Sequence, residues 1–180
     1  MSGRGIDPAG LAVLLPVRGG REGELGELLN ALPDGEDSPF TTLSSTHFAR
    51  LVLVPHLLDR ADHELRDVPA LLFFSAEFDV SPEGYLEALC TLMPAEVGEI
   101  FALCEGYPGV ASPPRFKQWL LDHRVPPGFS IQGNPGATAA EVVETLALRD
   151  SIIEFAVDTQ GFEPAALLQA WRDRDWGSSA

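Results

Sequence analysis

Four polar side chains interrupt two otherwise apolar segments and are the first candidates for chemistry. They are His47, Arg50, Glu77 and Asp79. The first two lie at the start of segment 46–54, Glu77 lies at the end of segment 70–78, and Asp79 directly follows that segment. A histidine beside a carboxylate can act as a general base or bind a metal, with the carboxylate orienting the ring. We therefore predict these four residues as a catalytic site.

The two segments must form neighbouring strands if these side chains are to meet. The first contains the β-branched residues Thr46, Val52 and Val54, the second contains three phenylalanines, and the two segments follow one another in the chain. In an antiparallel pair the start of one strand meets the end of the other. His47 or Arg50 would then lie near Glu77 and Asp79. The alternative is structural: Arg50 pairs with one of the carboxylates, and His47 packs as a half-buried ring. The sequence leaves both open because it does not determine the register.

Two aromatic side chains, Phe74 and Tyr107, are candidates for binding a ligand, and Tyr107 is also a candidate proton donor. Cys104 is a weaker candidate for a thiolate, because a helix C-terminus does not stabilise negative charge. No Cys-x-x-Cys or His-x-x-x-His spacing occurs, so we predict no metal site.

The charge balance argues against several classes of partner. The 180 residues include 12 Lys and Arg against 27 Asp and Glu, a net charge of −15. Such a surface repels phosphate backbones and anionic lipids, so we expect neither nucleic-acid nor membrane binding. No apolar run approaches the ~20 residues that span a bilayer, and the N-terminus lacks the pattern of a secretory signal. We expect a cytoplasmic protein.

The order of predicted elements indicates an α+β fold. A buried strand at 11–17 and an amphipathic helix at 25–32 precede the two strands. Ser81, Pro82 and Glu83 are typical of a helix start. Further helical pieces surround a fourth strand at 129–132, and helices follow from 138 to about 157 and from 163 to 173. We predict a ferredoxin-like βαββαβ antiparallel sheet with additional helices. The chain is expected to be a single domain, 1–180, with its core at about 11–157 and flexible ends.

Such a sheet has one face covered by helices, and its other face needs a second cover. The extra helices, a bound ligand or a second subunit would each provide it. In the last case the two copies would form a dimeric α/β barrel. We expect the ligand pocket on this open sheet face.

Four short phrases of the sequence resemble a known family. They are Thr46-His-Phe-Ala-Arg50, Leu71-Leu-Phe-Phe-Ser-Ala-Glu-Phe-Asp79, Cys104-Glu-Gly-Tyr-Pro108 and Asn134-Pro-Gly-Ala-Thr138. Together they are similar to an uncharacterised ferredoxin-like family, related to dimeric α/β barrels and found alone or joined to sequences similar to dye-decolorizing peroxidases. The resemblance covers most of 11–157.

The resemblance implies a small-molecule enzyme, because the wider superfamily includes haem enzymes, small monooxygenases and polyketide cyclases. It leaves haem as a possible cofactor. Two departures argue against haem and peroxidase chemistry: no histidine matches the proximal ligand, and the Gly-x-x-Asp-Gly motif of dye-decolorizing peroxidases is absent.

Two functions follow as hypotheses. The first is a small-molecule-binding protein or enzyme, an oxidoreductase or a cyclase, with the four polar residues as its anchors. The second is a non-catalytic module that forms a homodimer or docks on a protein partner through the apolar sheet face.

Overall fold

Residues 9–55, 69–126 and 137–176 are described by a computed structural model of the chain. The structure divides into two compact units, with the boundary between Ala139 and Ala140. The single domain expected from the sequence stays a prediction.

Alternating apolar residues build a three-stranded sheet in the first unit. Its strands are β1 (Ala9–Pro16), β2 (Thr46–Val54) and β3 (Leu71–Phe78). The spatial order is β1-β3-β2, and both pairs are antiparallel. This confirms the predicted antiparallel pairing of the second and third strands, and a mixed α+β architecture. The fourth strand predicted at 129–132 lies outside the described residues.

Four helices accompany this sheet: α1 (Glu22–Ala31), α2 (Pro82–Leu92), α3 (Pro94–Phe101) and α4 (Pro113–Asp122). Two short 3₁₀ turns, Gly35–Asp37 and Pro39–Thr42, connect α1 to β2. The predicted start of α2 is confirmed, because the Ser81 hydroxyl accepts a hydrogen bond from the Gly84 N–H at 3.1 Å.

The core lies on one face of the sheet, where alternate residues of β3 point toward the helices. These residues are Leu72, Phe74, Ala76 and Phe78, and all are buried. Edge-to-face contacts continue from Phe74 to Phe101 and from Phe101 to Phe116. The opposite face is open: Phe48 and Val52 of β2 remain 44% and 40% exposed there.

The chain that follows α4 runs beside the outer edge of β1. The N–H of Leu14 donates to the carbonyl of His123 at 3.2 Å, and the N–H of Val125 donates to that of Ala12 at 2.8 Å. Val13 and Arg124 form an antiparallel bridge. Residues 123–125 therefore extend the antiparallel hydrogen bonding of the sheet beyond β1.

The second unit is a helical hairpin. Helix α5 (Ala139–Asp158) begins at the last residue of the first unit, and α6 (Pro164–Asp173) follows after a short turn. Phe155 of α5 packs edge to face on Trp171 and Trp176, at 5.4 and 5.2 Å between ring centroids. Both helices were predicted from the sequence, and their boundaries are confirmed to within a few residues.

Across the described residues, no helix has the length and apolar character that a bilayer crossing requires.

Candidate functional site

A β-bulge contains His47, the second residue of β2. Thr46 lies opposite Phe78 and Phe48 lies opposite Glu77, so that His47 is an extra residue without a partner in the register. A bulge bends a strand and redirects the side chain that it contains. The start of β2 is also held by the N–H of Thr46, which donates to the carbonyl of Leu43 at 2.8 Å.

The bulge brings His47 against Asp79. His47 Nε2 and Asp79 Oδ1 are 2.5 Å apart, a short hydrogen bond. The Asp79 side chain is 9% exposed and that of His47 is 26% exposed. The other carboxylate oxygen, Oδ2, accepts a hydrogen bond from the N–H of Ala139 at 2.7 Å. Both oxygens of a nearly buried carboxylate therefore have donors, which fixes its orientation.

This geometry determines the tautomer of a neutral His47. An ionised carboxylate only accepts hydrogen bonds, so Nε2 must carry the proton. The lone pair of the neutral ring then lies on Nδ1. An imidazole oriented in this way by a carboxylate is the arrangement used in general base catalysis.

His47 also lines a groove with a volume of about 480 Å³. Its walls come from the end of α1, the two 3₁₀ turns and the start of β2. Most of the lining is apolar: Leu29, Leu32, Pro33, Pro39, Phe40, Phe48, Ala49 and Leu51. The polar groups are Asp34, Ser38, Thr41, Thr46 and His47. An apolar cleft with a few polar groups is typical of small-molecule sites.

The groove lies at the edge of the sheet beside β2 and shares Phe48 with the open sheet face, where we expected the pocket. Ala49 and Leu51 line it, and both pack against the core on the side covered by helices. The physical reason is that a sheet face alone has no walls. Beside β2, in contrast, α1 and the 3₁₀ turns rise above the strand and enclose a volume.

A second pair of polar groups, which the sequence reasoning missed, lies next to His47. The hydroxyl of Thr46 donates to the hydroxyl of Tyr85 at 3.5 Å. Tyr85 is fully buried, and its ring stacks on Phe78 with the centroids 4.0 Å apart. Burial raises the pKa of Tyr85, while the hydrogen bond from Thr46 opposes that shift. The only signal in the sequence was one hydroxyl-bearing residue in the apolar stripe of α2.

Arg50 and Glu77 are not brought together with His47. Arg50 lies opposite Ser75, and its guanidinium stands 5.0 Å from the centre of the Phe48 ring. Glu77 is exposed and lies opposite Phe48. Within the described ranges, no ion pair joins Arg50 to either predicted carboxylate. Asp79 instead pairs with His47, so Arg50 and Glu77 belong to the open sheet face rather than to the groove.

The other sequence candidates are not part of the groove lining. Phe74 is fully buried and its ring packs on Phe40 and Phe101, so we no longer assign it to a ligand. Tyr107 packs edge to face on Phe116 and Trp119. Its hydroxyl is buried and has no hydrogen-bond partner among the described residues, and burial raises its pKa.

Cys104 is a packing residue. It is fully buried, and its carbonyl accepts a hydrogen bond from Arg18 Nε at 3.0 Å. Burial raises the pKa of the Cys104 thiol to about 12, against a smaller opposing effect of Arg18. The thiol is therefore protonated at neutral pH and is not a nucleophile.

The described residues that line the groove do not fit a haem. No Lys or Arg is found among the described residues that line the groove, so nothing there neutralises two propionates. His47, the histidine that lines the groove, has its Nε2 bound to Asp79. In the same ranges, no group of three or more His, Cys, Asp or Glu side chains is placed to hold a metal ion.

Comparison with known proteins adds no assignment: no family model, no curated protein and no solved structure matches the chain.

Proposed function

We propose that the chain is a small-molecule-binding protein of enzyme type, in which the groove beside β2 holds the ligand and His47 acts as a general base. One observation carries the proposal. The same imidazole lines an apolar groove and donates to a nearly buried carboxylate, Asp79. A histidine with a purely structural role does not need both a place in a groove and a hydrogen bond to a buried carboxylate.

The lining restricts the chemistry of the ligand. The groove is mostly apolar, and Asp34 is its one permanently charged side chain within the described lining. The whole chain carries a net charge of −15, which repels anions. The ligand is therefore a neutral or cationic molecule with an apolar body. The ligand should also carry either a proton that His47 can remove or a hydroxyl that His47 can bind.

A ligand screen followed by NMR tests this proposal. Neutral and cationic apolar fragments should shift the amide signals of the groove residues. His47→Ala should weaken binding of the best fragment by about tenfold, the value of one good hydrogen bond. Val52→Ala is the matched control, because Val52 lies on the same strand, is exposed on the open sheet face and does not line the groove. A fragment that loses affinity with Val52→Ala and not with His47→Ala places the ligand on the open sheet face and removes His47 from the proposal.

For the fold, we propose a ferredoxin-like arrangement. Its support is the strand order β1-β3-β2 together with the antiparallel bridge between Val13 and Arg124 at the outer edge of β1. A dimeric α/β barrel, a relationship to proteins found with dye-decolorizing peroxidases and an oxidoreductase or cyclase activity stay proposals from the resemblance. Cytoplasmic location stays a proposal from the sequence.

The alternative function is a non-catalytic docking module, and the open sheet face favours it. Phe48 and Val52 are 44% and 40% exposed there, and Val52 lies opposite the half-buried Phe73. Exposed apolar patches mark interaction sites. A Val52→Asp variant distinguishes the two functions: it should abolish partner binding by a docking module and leave fragment binding in the groove unchanged.

A further inference from the structure

A stripe of exposed apolar residues runs along α5. It comprises Val143, Leu146, Ile153 and Val157, which are 66%, 44%, 55% and 59% exposed. With Asp150 between them, the spacing is three and four residues, which is one face of a helix. The helix has 20 residues and is therefore about 30 Å long.

The opposite side of α5 faces α6 within the hairpin, and Phe155 is buried there. Ile152 and Phe155 line a groove with Leu167, Leu168 and Trp171 of α6. Helix α5 thus has two apolar faces, one directed at α6 and the other exposed. A helix that is apolar on two sides normally packs between two neighbours.

The exposed stripe is nearly symmetric about Asp150. Val143 precedes Asp150 by seven residues and Val157 follows it by seven. Leu146 precedes it by four and Ile153 follows it by three. A twofold dimer needs a surface that is complementary to itself about the twofold axis. In an antiparallel pair of α5 helices, Val143 of each copy meets Val157 of the other, and Leu146 meets Ile153.

The centre of the stripe supplies matched charges. Arg149 and Asp150 are both exposed, and Arg149 Nη2 is 2.7 Å from Asp150 Oδ1. Where two copies cross at this point, two arginines and two aspartates meet with no net charge. The polar cluster would fix the register of the two helices, as single polar positions do in coiled coils.

We propose that the exposed stripe of α5 binds the same stripe of a second copy of this chain, antiparallel and centred on Asp150. The proposal is independent of the function assigned to the groove. The stripe is short, so the association is weak and depends on concentration.

Sedimentation equilibrium tests whether a second copy of the chain binds the stripe. The concentrations should run from about 1 µM to about 1 mM, the range that separates tight from weak association. The monomer mass is 19.4 kDa, and the wild-type chain should approach twice that value. Ile153→Asp should shift dissociation to at least tenfold higher concentration. Leu92→Asp is the matched control, because Leu92 is 56% exposed and lies on α2; this variant should dimerise like the wild type. Both side chains are exposed, so circular dichroism should show both variants folded.

Charge exchange tests the centre of the interface. Arg149→Asp places four acidic groups there and should dissociate the dimer. Combining it with Asp150→Arg restores two charges of each sign and should restore dimerisation. Disulfide cross-linking tests the direction: a mixture of Val143→Cys and Val157→Cys chains should form a linked dimer, and Val143→Cys alone should not.

Three results would overturn the proposal. One is a wild-type monomer at every concentration, which would mean that another part of the chain or a different protein covers the stripe. Another is a dimer that Ile153→Asp leaves intact, since its interface must then lie elsewhere. The third is efficient cross-linking of Val143→Cys with itself, which would exclude the antiparallel arrangement.

Discussion

The interaction between His47 and Asp79 can be measured directly with a double-mutant cycle. His47→Ala and Asp79→Ala each remove the hydrogen bond of 2.5 Å, and the double variant removes both partners. The coupling free energy is the amount by which the two single effects exceed the effect of the double substitution. It isolates this contact from the other interactions that each side chain makes.

The structure indicates the expected values. A hydrogen bond to a charged group contributes about 1.5–3 kcal/mol when it is well buried. The His47 side chain is 26% exposed, so water competes and we expect a coupling of about 1 kcal/mol. Asp79→Ala also removes the acceptor of the Ala139 N–H. That variant should therefore lose more stability than His47→Ala, about 2–3 kcal/mol in total.

Urea unfolding at pH 7, followed by circular dichroism, provides the free energies of unfolding. The Lys117–Glu87 pair is the control, with a distance of 3.0 Å and a Glu87 side chain that is 65% exposed; its coupling should be below about 0.5 kcal/mol. A His47–Asp79 coupling no larger than this control would refute the view that the carboxylate orients the ring. In ¹⁵N NMR spectra, a neutral His47 protonated on Nδ1 would refute it independently.

Three further substitutions test other parts of the first unit. Ser81→Ala removes the hydroxyl that caps α2 and should cost about 1 kcal/mol in urea unfolding, whereas no measurable loss would mean that the cap does not stabilise the helix. Phe74→Ala opens a cavity at a fully buried position and should cost about 3–5 kcal/mol; a loss below 1 kcal/mol would contradict its place in the core. Because the pKa of Cys104 is raised from 9.0 to about 12, the folded state holds a proton that the unfolded state releases above pH 9. Its contribution is therefore complete below pH 9 and is lost from pH 9 to 12, by about 1.4 kcal/mol per pH unit. Cys104→Ala should remove that part of the pH dependence, and an unchanged slope would contradict the shift.

The sequence predicted that His47 would lie near Glu77 and Asp79, because antiparallel pairing brings the start of one strand to the end of the other. It did not predict which of the two carboxylates would bind His47. A strand without the bulge would place His47 opposite Glu77, and one extra residue moves Phe48 into that position. The local sequence does not indicate the bulge, because a bulge depends on how the whole strand pairs with its neighbour.

The groove itself could not be predicted, because its walls are two 3₁₀ turns without periodicity. In the sequence, residues 36–45 are a connection with no helical or strand periodicity. Phe74 illustrates a second limit. Alternation along the strand puts Phe74 on one face with Leu72, Ala76 and Phe78, but the other face begins with the apolar residues Leu71 and Phe73. Which of these faces meets the helices is decided by packing, and Phe74 proved to lie on the covered side.

The aromatic cluster of the hairpin has a spectroscopic consequence. The chain contains three tryptophans: Trp119 lies in the first unit, and Trp171 and Trp176 pack on Phe155 in the second. Each unit therefore carries its own natural fluorophore. A Trp119→Phe chain would emit from the hairpin alone, and a chain with both hairpin tryptophans replaced would emit from the sheet unit alone. Comparing the two emission traces during one denaturation would reveal whether the two units lose their structure together or in sequence, without any attached label.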